Sequence, residues 1–150
     1  MTASITMYNS ANLYLGNGSI LLGADTLNVT LHTSSYVPNA NTQTVYADLT
    51  NELGTANGYT AGGVALGSVT WTNSTVTATI AAANATWAAS GGSITARYAV
   101  IRSTATHNAH VQPLLAYILL DITPADVTAT SGNNFVLQWN ASGVMVATIV

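Results

Sequence analysis

The chain has 150 residues, of which 49% are hydrophobic and 5% charged: two arginines, no lysine and five acids, for a formal net charge of −3. Two arginines cannot build the cationic footprint that phosphate neutralisation demands, which excludes a nucleic-acid binder. The absence of cysteine excludes disulfides and thiolate chemistry.

The length fits a single domain spanning residues 1–150. The first residues, Met-Thr-Ala-Ser-Ile-Thr-Met, lack the basic and long apolar regions of a secretion signal, and no apolar run approaches the roughly 20 residues that span a bilayer. The expectation is a protein made in a cytoplasm, with no membrane partner. The polar residues are mostly Thr, Ser, Asn and Gly, which suit strands and turns rather than exposed helices.

In chain order, Ser4 is expected to cap a short helix through Asn12-Leu-Tyr-Leu15, stopped by Gly16-Asn-Gly18. Thr26-Leu-Asn-Val-Thr-Leu-His32 alternates, predicting a strand with Leu27, Val29 and Leu31 inward and Asn28, Thr30 and His32 outward. Residues 33–43, broken by Pro38, read as an extended loop, with a turn of helix over 45–49. Residues 54–67 hold five glycines and predict an irregular path with several positive-φ corners. No Gly-Lys-Ser/Thr follows, so this is not a phosphate loop.

Strand signals then come quickly. Val69-Thr-Trp71 and Val76-Thr-Ala-Thr-Ile80 flank a tight connection at 72–75, and Ala85-Thr-Trp87-Ala is a short strand. Residues 93–102 alternate, and Leu114-Leu-Ala-Tyr-Ile-Leu-Leu120 is apolar throughout, which predicts a central strand covered on both faces. Paired as a hairpin around the 103–113 loop in a symmetric register, these two strands put Arg97 opposite Leu119 and diagonal to Asp121. Pro124 ends the central strand, and 127–130, 135–139 and 144–150 read as a terminal meander whose last strand is tied down. Short strands at this spacing predict an all-β fold: an antiparallel β-sandwich with long irregular loops and one or two short helices in the N-terminal third.

No constellation points to catalysis. His107-Asn-Ala-His110 is the one clustered ligand pair, but zinc needs three or four ligands and no acid lies within ten residues of it. A solvated or interface-packed loop is the better reading unless two such loops meet at an oligomer axis. Asp48 and Glu52, four apart, suit a helix cap and a solvated face better than an acid–base pair, and Asp48 is placed to meet Arg102. No Gly-x-Ser-x-Gly elbow occurs. The expectation is a non-enzyme without cofactors.

Ser34-Ser-Tyr-Val-Pro-Asn39, Tyr46-Ala-Asp-Leu-Thr-Asn-Glu-Leu53, Gly58-Tyr-Thr-Ala-Gly-Gly-Val-Ala-Leu66 and Ser93-Ile-Thr-Ala-Arg-Tyr-Ala-Val100, with a closing Gln138-Trp-Asn-Ala-Ser-Gly143, resemble a family of small structural proteins of tailed bacteriophage virions, of the head decoration or cement kind. The resemblance runs over most of the chain and carries no catalytic residue. It implies a virion protein that binds the major capsid protein and copies of itself, as a trimer, and stabilises the head. The alternative is a tail-side or receptor-binding module in which Tyr36, Tyr46 and Tyr59 contact a glycan. Tyr36, Pro38, Tyr46, Tyr59, Val64 and Leu66, in loops too irregular for the core and too neutral for ordinary solvent loops, are the expected partner contacts.

Overall fold

The computed structural model describes residues 3–74 and 77–148. β1 (Ser4–Met7) leads directly into α1 (Asn9–Gly16). Ser4 is therefore a strand residue and not the helix cap. The cap is Tyr8, in extended conformation (φ −70°, ψ 143°), whose N–H still bonds Leu115 O at 3.1 Å. The β1 ladder thus runs right up to the helix, which buries Ala11 and Tyr14 and stops before Gly18 at φ +75°.

β2 (Leu27–His32) is followed by a 3₁₀ turn (Tyr46–Asp48), the two-residue β3 (Val64–Ala65), and a hairpin of β4 (Thr70–Asn73) and β5 (Thr77–Ala81). The expected hairpin is present, although Thr75 and Val76 at its connection lie outside the described residues. β6 (Ala85–Ala88), β7 (Ile94–Ala96), β8 (Tyr98–Ser103), β9 (Thr106–His107), β10 (His110–Val111), β11 (Leu114–Leu119), β12 (Val127–Ala129), β13 (Asn134–Leu137) and β14 (Met145–Thr148) complete the chain. All pairings are antiparallel. The all-β, antiparallel class read from the sequence is the class observed.

The main sheet has the order β1-β11-β8-β2-β3. β8 is central, and β11 lies one strand to its side, still flanked on both edges. Leu114, Leu115 and Ala116 have no exposure, as the unbroken apolar run required. Between β8 and β11 the register is Tyr98↔Leu119 through Ile101↔Ala116, then Arg102↔Leu114, so Leu115 is one extra residue in a bulge. That bulge shifts the pairing by one from the symmetric expectation. Arg97 is not opposite Leu119: it forms the break between β7 and β8, its C=O accepting Leu120 N–H, and its side chain pairs with Asp126 at 2.8 Å. Asp121 caps its own turn at Thr123.

The last three strands are not a meander. β12 pairs with β7, β13 with β6 and β14 with β5. Together with β8–β11 and β9–β10, these ladders make one long interrupted hairpin in which β11 to β14 retrace β8 to β5. Its tip is the turn His107-Asn108-Ala109-His110, with both central residues at positive φ (49° and 64°), the handedness that matches sheet twist in two-residue turns. Of the last stretch, Ile149 and Val150 lie outside the described residues. One core cluster runs from Tyr8 to Val144.

β2 departs from the expected two-sided pattern. Thr30 and His32 are as fully buried as Val29 and Leu31, because the 33–63 segment folds back over their face.

Candidate functional site

Glu52 anchors that returning segment. Its carboxylate accepts Tyr59 OH and Gly62 N–H, each at 2.7 Å, and the hydroxyl of Tyr46. Tyr59 OH also accepts the N–H of Leu31 in β2 at 3.0 Å. Arg102 of β8, 4% exposed, donates to Gly62 O and to Gln112 Oε1, both at 3.1 Å, and lies 3.9 Å from the centre of the Tyr46 ring. Burial lowers the pKa of Arg102, opposed by the charge of Glu52 and the ring and hydroxyl of Tyr46. Burial and the bond to Glu52 push the Tyr59 phenol far above its ordinary range, so it remains a donor at every physiological pH.

A second lock lies beside it. His32 Nδ1 meets Thr50 O at 2.9 Å and Nε2 meets Thr30 Oγ1 at 2.9 Å, while the Tyr36 ring packs on the imidazole at 4.7 Å. Tyr36 OH bonds Tyr8 OH and Gln43 Oε1, both at 2.7 Å.

These two locks decide where the expected contact residues fall. Tyr36, Tyr59 and Leu66 are 1%, 2% and 8% exposed. They are core residues and cannot be surface contacts: the positive-φ corners at Gly58, Gly62 and Gly63 (φ +89°, +95° and +74°) bend the 54–67 loop onto the sheet, and Tyr36 is drawn in by its bonds to Tyr8 and Gln43 and its packing on His32. Pro38, Tyr46 and Val64 are half-buried. The structure brings Tyr46 and Tyr59 together, on Glu52, but as donors to a half-buried carboxylate. The exposed tip of this region is Val37, at 76%.

The other clusters are structural as well. Asp48 does not meet Arg102 or pair with Glu52: no helix continues past the 3₁₀ turn, and Asp48 instead takes the N–H groups of Thr44 and Val45 at 2.7 and 3.1 Å. The acid missing near the histidine pair comes from far away in sequence, with His107 Nε2 2.8 Å from Asp25 Oδ1. Asp25 Oδ2 accepts Ser103 Oγ–H at 2.8 Å and Leu21 N–H at 3.0 Å. The carboxylate stands between the hydroxyl and the imidazole, whereas activating a serine needs the imidazole in the middle. His110 packs on Tyr14 at 4.4 Å, and Asn108 donates to Asn17 O at 2.9 Å, so the hairpin tip is pinned to the end of α1. No group of three or more metal-ligating side chains occurs among the described residues.

The exposed apolar surface lies elsewhere, around Trp71. All four residues of β4 are exposed, Trp71 by 49%. Hollows of about 420 and 220 Å³ flank the indole, one bounded by Leu15, Leu21 and Leu22, the other by Met7, Ile80 and Met145, and no charged side chain lines either. In the sequence Trp71 sits within a strand pattern, where core packing is the default expectation. The signal for the opposite reading was the short, Thr- and Asn-rich edge strand itself, which among the described residues has no partner beyond β5.

Comparison with protein-family models, curated proteins and solved structures found no match for this chain.

Proposed function

We propose that the protein is a structural component of a bacteriophage virion, a cement protein that binds the major capsid protein and copies of itself, as a trimer, on the outside of the head. The family-like segments motivate the class. The observation that supports it in the fold is the fate of the charges. Arg102 is buried, Asp25 has a side chain 4% exposed, and Glu52 is turned into two tyrosines. Arg97 and Asp126 pair with each other, and Asp48 and Asp121 close their own turns. Each of the seven charged side chains thus has a partner inside the chain, and among the described residues those that reach the surface are few: the Arg97–Asp126 pair and the two turn-closing carboxylates of Asp48 and Asp121. A surface of that kind gains free energy by burial against other protein, as assembly subunits do, and is poorly suited to a dispersed monomer.

The glycan-contacting alternative loses two of its three residues, since Tyr36 and Tyr59 are internal and only Tyr46 is half-buried. Trp71 takes their place as the exposed aromatic. The test uses purified heads mixed with wild-type protein or Trp71→Ser. Hundreds of copies per head are expected for the wild type, and a loss of about 1–3 kcal/mol of attachment for the variant. Binding confined to one vertex, or absent, would reject the cement role. Sedimentation of the free protein as a clean monomer at micromolar concentration would reject the trimer.

A further inference from the structure

We propose that β4 is a self-pairing edge, through which two copies of this chain join antiparallel about a twofold axis at Thr72. In the β4–β5 hairpin, Ser74 N–H donates to Thr77 O at 2.8 Å, which makes Ser74 and Thr77 a hydrogen-bonded pair. Such pairs alternate along an antiparallel ladder. With the register Thr70↔Ala81, Trp71↔Ile80, Thr72↔Thr79 and Asn73↔Ala78, it is Thr70 and Thr72 that bond β5, while Trp71 and Asn73 turn their N–H and C=O outward. Ile80 agrees, because its C=O faces away from β4 and accepts Val144 N–H at 2.7 Å. Among the described residues nothing bonds the outward groups of β4.

The spacing of those groups selects the occupant. Set antiparallel against itself with Thr72 opposite Thr72, the edge pairs Trp71 of each copy with Asn73 of the other. Both pairs then exchange N–H···O=C bonds, and no outward group of the strand is left over. Thr72 meets its own counterpart in the close, non-hydrogen-bonded position, where threonine pairs stabilise a ladder. The two Trp71 rings, each 49% exposed in the single chain, come to diagonal positions on one face, within aromatic reach. Beside each ring is the hollow of about 420 Å³ walled by Leu15, Ile20 and Leu22, which touches no residue of β5 or β14 and so lies off the free side of β4. The second copy's indole is the side chain offered to it.

Charge permits the same approach. Residues 53–96 contain no Asp, Glu, Lys, Arg, His or Pro, so two copies meet here without like-charge repulsion. β4 pairs with β5 without a bulge, and all four of its residues are exposed. It has none of the devices, charge, proline or bulge, that keep solitary edge strands from pairing. A strand of another protein needs only a free edge; a second copy also needs this symmetry, and β4 has it. The contact is additional to the trimer, since a threefold ring never sets a strand antiparallel to its own counterpart. It also stands apart from the head role, because its test needs no virion.

The experiment is a cysteine scan of the full-length protein, which has no cysteine of its own. Thr70→Cys, Thr72→Cys and Asn73→Cys are treated in dilute solution with oxidised glutathione and run on a non-reducing gel. Only position 72 faces its own counterpart, at about 4.5 Å between Cα atoms, inside the span that a disulfide bridges. Thr72→Cys is therefore expected to form a covalent dimer at least about tenfold faster than either neighbour. Adding Asn73→Pro to Thr72→Cys removes an outward N–H and leaves the β4–β5 ladder its bonds; this variant, first checked for unchanged melting, is expected to lose the cross-link. Failure of Thr72→Cys to dimerise overturns the proposal and leaves the edge to a different chain. Comparable rates at 70 and 72 overturn it as random collision, and a cross-link that survives Asn73→Pro overturns it by showing that the strand edge is not the contact.

Discussion

Glu52 and Arg102 carry opposite charges yet make no direct ion pair: they hold Gly62 from two sides, Glu52 Oε1 accepting its N–H at 2.7 Å and Arg102 Nη2 donating to its C=O at 3.1 Å. Three donors converge on the Glu52 carboxylate, and a carboxylate is the one side chain that accepts all three. Glu52→Gln turns an amide N–H₂ toward one of them and should cost about 1–3 kcal/mol, a fall of several degrees in the thermal midpoint. A midpoint within one degree of wild type would show that the carboxylate is not what holds this segment down.

Gly63 shows why the glycines in that segment are not interchangeable. At φ +74°, a Cβ on Gly63 would lie 1.9 Å from Val29 O, whereas one on Gly91, at φ +76°, would meet nothing within 4 Å. Both alanine variants bear the left-handed strain of about 1–2 kcal/mol, but Gly63→Ala must also push β2 away. Gly63→Ala should lower the denaturation midpoint at least twice as far as Gly91→Ala, and equal shifts would contradict the close approach.

Acid should weaken the fold in two stages. Burial lowers the His32 pKa below its ordinary 6.5, opposed by the Thr50 carbonyl and the charge of Glu52, so the folded state holds it neutral. A depressed histidine contributes stability that is present above about pH 6.5 and lost as the pH falls below it. Burial works to raise the Asp25 pKa, but hydrogen bonds from Leu21 N–H, His107 and Ser103 outweigh it and hold the group below 3.8; its contribution is present above that value and lost under it. Melting curves should therefore shift down between pH 7.5 and 5.5 in the wild type and less in His32→Gln, while Asp25→Asn should flatten only the decline below about pH 4. Parallel pH profiles for wild type and His32→Gln would remove His32 from the account.

Ile118, 3% exposed in β11, should cost about 2–5 kcal/mol on truncation to alanine. Asn28 lies at the rim of β2, and its Nδ2 donates to Gly62 O at 3.1 Å. Its alanine variant should cost about 0.5–1.5 kcal/mol, more than a free surface position would. Chemical denaturation of the two variants separates the cases, and equal losses would contradict the assigned core.

Local chemistry made the strands legible and left their partners hidden. Leu114 to Leu120 announced a covered strand, which is buried at Leu114, Leu115, Ala116, Ile118 and Leu120 but only half-buried at Tyr117 and Leu119, and the glycines of 54–67 announced positive-φ corners, which are present. Pairing was not legible, because nothing in 127–148 distinguishes a neighbour in sequence from a strand formed 30 or more residues earlier. The register between β8 and β11 turned on one bulged residue, Leu115, inside a run where every residue is apolar and a slip leaves no mark on the pattern. Tyr36 and Tyr59 were misplaced for a related reason. Their loops lack periodicity, and burial there is set by single long-range bonds, to Tyr8 OH and Leu31 N–H, that no local window contains.

The long hairpin closed at Asn108 and Ala109 also sets an order of events. Each pair outward from the tip, β8 with β11, β7 with β12, β6 with β13 and β5 with β14, encloses a longer stretch of chain, and loop-closure entropy rises with that length. Formation should zip from the tip outward, with β5 and β14 joining last. On the ribosome, β5 to β7 would wait with their edges open until the strands that retrace them emerge. Slow synthesis through 104–148 would lengthen that wait, and it is in this interval that the chain is most exposed to mispairing with its neighbours.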